Sequence, residues 1–384
     1  MKNSLLTLIV FLCLFCSTMF AQQKDLTSLT GGTDTITNYS AFKRSLSFSG
    51  VLQTRYVASL TGHVDVNGKN FDTTNGVTNT FLVKRARFMV KANINDHFSA
   101  NILVNFADFN SDPANKVLEN AYIKYSLNKH FNVMAGQFRP FFGIEDAIAV
   151  DIIRTLDFSN QYYAFGKNGW QSFQIGLSVL GDITNNGKLR YFVGAYNGNN
   201  RTQASDDDNT KNFYGRFEAD VLKDLTVAVN AGTGSLGKSA TGNAWGADAT
   251  AKVPLSPKWT LLMMAEYKSG TNFLAYNSYT GAPKPGISQF RMQGFYLFPT
   301  IRYEYKRPRV RAIELSSRYE YFDENTKLNS NARQTIIPNL SFIFADNFYA
   351  SIQVGVSIDL YKKNIPLTTS YNSRLAYAQL QIRL

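Results

Sequence analysis

Phe348-Tyr349-Ala350-Ser351-Ile352-Gln353-Val354-Gly355-Val356-Ser357-Ile358-Asp359 alternates apolar and polar side chains with little interruption. Phe348, Ala350, Ile352, Val354, Val356 and Ile358 share one face, and Tyr349, Ser351, Gln353, Gly355, Ser357 and Asp359 share the other. A period of two is the spacing that a pleated strand imposes. A soluble sandwich would produce it as well, so the decision comes from what surrounds this segment. Sixteen such amphipathic segments follow residue 45: 46–59, 80–93, 98–107, 117–126, 131–138, 171–180, 188–197, 211–222, 225–233, 244–253, 258–268, 289–305, 309–321, 334–344, 347–359 and 372–384. The connections between them run long, short, long, short to the end. An even number of alternating strands, with tight turns at one rim and long loops at the other, marks a barrel that crosses an outer membrane. The expected fold is all-β, a 16-stranded antiparallel transmembrane β-barrel over 46–384.

The tight connections are Asn95-Asp96, Asn128-Lys129, Asn185-Asn186-Gly187, Lys223-Asp224, Pro254–Pro257, Arg307-Pro308 and Ala345-Asp346. Most contain the Asn, Asp, Gly or Pro that turns require. The longest connection is the third, 139–170, and a barrel this wide has an aqueous lumen into which such a loop is expected to fold. Pro299 and Pro338 fall inside expected strands. Proline removes a ladder donor, so a bulge is expected at each. The last segment ends in Leu384 rather than an aromatic residue, but Ala376, Ala378, Leu380, Ile382 and Leu384 still form one apolar face.

Residues 1–21 read as a secretory signal peptide: Lys2 supplies the positive end, Leu5–Phe15 the apolar run, and cleavage follows Ala21 despite a bulky Met19. The run is shorter than the roughly 20 residues a membrane helix needs. Both cysteines, Cys13 and Cys16, lie within it, which leaves no disulfide, thiol catalyst or cysteine metal site beyond it. Residues 22–45 are polar and read as a periplasmic lead-in. The formal net charge of +12, of which Lys2 contributes one, is scattered singly, so no nucleic-acid partner is expected. Without long apolar runs, a membrane protein must close its backbone hydrogen bonds as a barrel. Its surroundings are then outer-membrane lipid and lipopolysaccharide.

The strongest candidate site lies on the second strand. Ala86, Phe88, Val90 and Ala92 make its lipid face, and Arg85, Arg87 and Lys91 then point into the lumen. Stacked cations can pass an anion from one to the next without any one binding too tightly. The same spacing also suits charges solvated in a water-filled lumen as one half of a transverse field, and spacing alone leaves both readings open. Parity adds Arg55, Lys124, Arg190, Arg216, Lys252, Lys268, Arg302, Arg318 and Arg383 to the lumen, against Glu218, Asp220, Asp248, Glu266, Glu304, Glu314, Glu320 and Asp359. The excess of twelve cations over eight acids implies a modest anion preference. In the third loop, Arg139, Arg154 and Lys167 stand beside Glu145, Asp146, Asp151 and Asp157; those that reach a constriction matter most, because a narrow pore focuses the field. Asp206-Asp207-Asp208 reads as an exposed acidic tip or a divalent-cation site.

No enzyme is expected. His63, His97 and His130 fall in a long loop and two turns, with no Ser or carboxylate on a shared face. No phosphate loop or metal-ligand spacing occurs, so neither metal nor cofactor is expected. The 21 tyrosines and 29 phenylalanines suit interfacial girdles, although a stacking track for sugars would use the same residues.

Lys84-Arg85-Ala86-Arg87-Phe88, Asn120-Ala121-Tyr122-Ile123-Lys124-Tyr125 and Gly136-Gln137-Phe138-Arg139-Pro140-Phe141-Phe142-Gly143-Ile144-Glu145 occur in an order that resembles the phosphate-selective porins of the O/P type. The resemblance covers roughly 80–145, with a weaker echo at Gly215-Arg216. It implies a sixteen-stranded homotrimeric channel for phosphate or other anions, a pathway role for Arg85, Arg87 and Lys124, and a constriction role for Arg139. The family's acidic-Arg-Ser segment is replaced here by Ile152-Ile153-Arg154-Thr155. The expected function is therefore passive, anion-biased diffusion across the outer membrane along Arg85, Arg87, Lys91, Lys124, Arg139, Arg154, Arg216, Arg302 and Arg318. The rivals are a plugged barrel that binds or adheres through its long loops, a sugar-specific porin, and a barrel lipid hydrolase.

The loop alternation fixes a topology, with 60–79, 139–170 and 269–288 outside the cell and 223–224 and 345–346 in the periplasm. A cysteine replacing Asn199 should react on whole cells with an impermeant thiol reagent, and one replacing Asp224 should not. Labelling at 224 alone would invert the barrel.

Overall fold

The computed structural model describes residues 44–72, 76–107, 117–147, 154, 156–199, 206, 208–237, 239–305, 307–345 and 350–383. The expected signal peptide, all but the end of the lead-in, Asp151, Asp207 and Leu384 lie outside the described residues. Sixteen strands follow: β1 Ser45–Ser59, β2 Asn79–Asn93, β3 Phe98–Asn105, β4 Leu118–Asn128, β5 Phe131–Phe138, β6 Gln174–Asp182, β7 Leu189–Tyr196, β8 Asn212–Leu222, β9 Leu225–Gly234, β10 Gly242–Pro254, β11 Trp259–Thr271, β12 Arg291–Glu304, β13 Ala312–Asp323, β14 Arg333–Ile343, β15 Ala350–Tyr361 and β16 Ser373–Arg383. Each pairs antiparallel with the next and β16 pairs with β1, so the sheet closes as expected. Among the described residues, three short α-helices sit in the long connections: α1 Ile144–Ala147 and α2 Asn160–Lys167 in the third, and α3 Phe273–Ser278 in the sixth.

Alternation sorts the side chains. On β15, Ser351, Gln353 and Asp359 are buried inward while Val354 is exposed outward. The same outer face carries exposed Leu46, Phe48, Phe81, Phe88, Leu380 and Ile382. In a closed membrane barrel this apolar band meets lipid, and the polar interior meets the lumen.

The register departs from strict alternation at two functionally important places. β1 and β2 pair as Gln53↔Arg85 and then Thr54↔Val83, so Lys84 is an extra residue in β2. β3 and β4 pair as Leu103↔Asn120 and then Val104↔Leu118, so Glu119 is an extra residue in β4. A bulge of this kind re-aims a side chain without disturbing the ladder on either side. Lys84 and Glu119, which unbroken parity would send to the lipid face, both turn inward.

The bulges expected at the two prolines do not form. Pro299 pairs in register with Met263 on β11, and Pro338 with Ser317 on β13. On its other side each ladder skips two rungs and resumes unshifted: Leu297↔Tyr319 is followed by Thr300↔Ser316, and Ile336↔Ile358 by Asn339↔Gly355. The missing donor therefore removes local pairing to one neighbour while the paired strands to either side hold the register.

Phe88 lies on the outer face near the middle of β2 and stacks on Phe48, ring centroids 5.9 Å apart. An arginine facing lipid near the membrane midplane costs about 2–4 kcal/mol. Phe88→Arg should therefore impair assembly, whereas Met89→Arg, one residue along and facing the lumen, should assemble. Heat-modifiable migration on gels reads both; the opposite result would put β2 one residue out of register.

Candidate functional site: a basic wall closed by the third loop

The bulge at Lys84 places three basic residues of β2 on the lumenal side, beside Arg55 of β1. Asp157, carried in by the third loop, lies among them. Its carboxylate is 2.7 Å from Arg85 Nη2, 2.9 Å from Lys84 Nζ and 3.2 Å from Arg55 Nη1, and it accepts the Tyr163 hydroxyl. Burial alone would raise the Asp157 pKa, but Lys84, Arg85 and Arg55 outweigh it and hold the carboxyl well below the usual range. Two glutamines fix the cations from behind: Arg85 Nη1 donates to Gln53 at 2.7 Å, and Arg55 Nε to Gln379 at 2.9 Å. Beside this group, Arg87 donates to Glu119 at 2.6 Å, and the Glu119 side chain is 3% exposed. Arg85 and Arg87 thus point inward as expected but are held in ion pairs rather than standing free in water.

The third loop enters the barrel and is held there by polar contacts at both ends. Gly143 has φ +141°, and a Cβ there would lie 2.0 Å from Glu266 Oε1 and 2.5 Å from Lys268 Nζ. Only glycine suits both that backbone conformation and that approach. The next residue, Ile144, donates its N–H to Glu266 at 3.0 Å, at the start of α1. Ser159 caps α2 by accepting from Tyr162 N, and both its backbone and hydroxyl donate to Glu145. Across the lumen, Arg318 of β13 donates to the carbonyls of Asp157 and Phe158 at 2.7 and 2.9 Å. Behind α2, Phe142, Phe165, Trp170, Tyr214 and Phe273 form a buried aromatic cluster, with Trp170 Nε1 donating to Thr271 O at 2.9 Å. Loop and wall are therefore joined by a dry core as well as by charge.

The expected site residues divide by what they touch. Arg139 lies within the loop's own packing, hydrogen-bonded to the Tyr162 hydroxyl and 5.2 Å from the Phe173 ring. Arg154 pairs with Glu314 at 3.4 Å, Arg216 with Asp248 and Glu218, Arg302 with Glu304 and Glu314, and Arg318 with Glu320. All eight lumenal acids expected from parity pair with a basic side chain. By contrast, the side chains of Lys91 and Lys124 have no hydrogen-bond or ion-pair partner among the described residues. The structure brings Arg85, Arg87 and Arg139 to one region with Arg55, and sets Arg216 and Arg302 apart from them on other strands. Sequence reasoning missed Lys84, Glu119 and the partner role of Asp157. For the first two a signal existed, since strict alternation puts a charge against lipid there.

Residues 58–217, which contain the motif-bearing stretch, match the family described as phosphate-selective porin O and P. No curated protein matches the chain. Solved structures share the fold: the outer membrane channel DcaP of Acinetobacter baumannii at 15% identity and TM-score 0.56, covering 89% of this chain and 97% of that one; the anion-selective porin from Comamonas acidovorans at 8% and 0.57, covering 89% and 100%; and OmpT of Vibrio cholerae in trimer form at 11% and 0.54, covering 89% and 99%. Together these structures and the closed sheet show that this chain shares the barrel fold of outer-membrane channels.

Glu145 supplies a pH test of the loop's docking. Burial pushes its carboxyl up to about 7, with Glu266 adding to the shift and Arg318, Lys268 and Ser159 opposing it. An undocked glutamate titrates near its ordinary value of 4.5. Between these values the docked loop binds the proton more tightly, so docking loses stability as pH rises from 4.5 to about 7. Open-channel current noise should accordingly be greater at pH 8 than at pH 5, and Glu145→Gln should remove the difference. Equal noise in the wild type at both values would contradict the docking role.

Proposed function

We propose that this porin-type barrel carries small solutes by passive diffusion with a modest preference for anions, phosphate among them, and that it works as a homotrimer in lipid and lipopolysaccharide. The observation that carries this reading is a local imbalance of charge. Arg55, Lys84, Arg85, Arg87 and Arg139 gather at one wall against Asp157, Glu119 and Asp146, and Lys91 and Lys124 lie beyond them on β2 and β4 without acidic partners among the described residues. A surplus of one sign inside a low-dielectric wall raises the local concentration of the opposite ion. The family match supports the phosphate element, and the trimer form of OmpT supports the assembly. Family and fold favour a channel over an enzyme. The aromatic packing of the third loop favours one rival, a plugged barrel that binds through its outer loops; such a barrel would show no ohmic conductance.

In planar bilayers the purified protein should form ohmic channels whose reversal potential in a potassium chloride gradient shows modest chloride preference. Arg85→Ala with Arg87→Ala should reduce that preference and weaken block by phosphate while leaving the barrel assembled. A clear potassium preference in the wild type would overturn the reading.

A further inference from the structure

We propose that Asp157 is a built-in surrogate for the permeating anion. Its carboxylate fills an oxyanion site made by Arg55, Lys84, Arg85 and Tyr163, and solute phosphates or carboxylates compete with it for that site. The inference rests on the anion-channel reading and goes beyond it by naming a binding site and the residue that controls access to it.

Three cations and a hydroxyl converge on a single carboxylate, at 2.7 to 3.2 Å for the cations. One carboxylate leaves two of the three positive charges uncompensated. A tetrahedral or planar oxyanion can accept from several of these donors at once, through charge-assisted hydrogen bonds. The cradle does not depend on its occupant. Arg55 and Arg85 are 5% and 6% exposed and are fixed by Gln379 and Gln53, so they stay in place when the carboxylate leaves. The loop backbone is held separately, because Arg318 grips the carbonyls of residues 157 and 158 rather than the Asp157 side chain. Asp157 can therefore swing away without the loop undocking. Solvent reaches the site, since the side chains of Lys84 and Asp157 are 31% and 20% exposed.

A tethered carboxylate competes at high effective concentration, on the order of millimolar. Only an anion that offers several oxygens displaces it readily. Chloride, with a single centre, gains less from the fan of donors. Asp157 thus sets a threshold in favour of abundant oxyanions.

The test is block of the chloride current by inorganic phosphate and, separately, by acetate, in the wild type and in Asp157→Asn. The variant should be blocked by one or both at concentrations at least tenfold lower, and its chloride preference should rise. The anion showing the larger gain identifies the class of solute the site prefers. Lys84→Ala added to Asp157→Asn should abolish most of the gain. If Asp157→Asn fails to assemble, Asp157→Ser, which removes the tethered carboxylate and leaves all four donors, should lower the blocking concentration in the same direction. Equal blocking concentrations in the wild type and the assembled variant would overturn the proposal even where the wild type prefers chloride. A wild type that prefers potassium would instead overturn the anion-channel reading, and a tenfold gain in block in Asp157→Asn would still establish the site.

Discussion

A backbone that crosses lipid must satisfy every N–H and C=O from within the chain, and everything else in this protein follows from that demand. Strands can meet it only as a closed ring, and the pairing of β16 with β1 closes it here. Closure then divides the side chains by parity. The outer half is mainly apolar, and most of the charges the strands carry are sent to the inside. A lumen crowded with charges is thus a by-product of solving the hydrogen-bond problem, and it has to be organised in its own right.

The organisation is by pairing. Around most of the wall, acids and bases of neighbouring strands cancel: Arg190 with Glu218 and Asp220, Arg216 with Asp248, Arg302 with Glu314, Arg333 with Asp359. Near β1 and β2 the wall has too few acids of its own, and the third loop brings one in. The loop can do so because it is fixed elsewhere by Glu266, Arg318 and the aromatic cluster. One segment thereby narrows the lumen and sets the charge of its most basic wall.

The barrel was legible in the sequence because period-two alternation is local: the segment around Val354 declares its own faces. Strand limits shifted by a few residues, as at β6 and β12, because a strand end carries little hydrophobic signal. The prolines were misread for a different reason. Which neighbour a proline denies a hydrogen bond depends on the register of three strands, and the one continuous ladder outweighs the gap in the other. At the candidate site, the inward direction of Arg85 and Arg87 was legible and their company was not. Asp157 and Arg55 are far apart in the chain, and only the path of the loop brings them together. Lys84 and Glu119 lay between these cases, since each bulge was foreshadowed by a charge that strict alternation would have buried in lipid.

Those two bulges have a hereditary consequence. Gln53↔Arg85 and Thr54↔Val83 are already adjacent rungs, so losing Lys84 from the gene would leave every other pairing of β2 in place. The same holds for Glu119 between the rungs Leu103↔Asn120 and Val104↔Leu118. A single in-frame codon gained or lost at either position changes the lumenal charge by one and leaves the lipid-facing surface untouched. Within a stretch of unbroken register such an indel would turn the rest of the strand inside out. Length variation at these two sites can therefore adjust the charge of this wall independently of the substitutions that keep the outer face apolar.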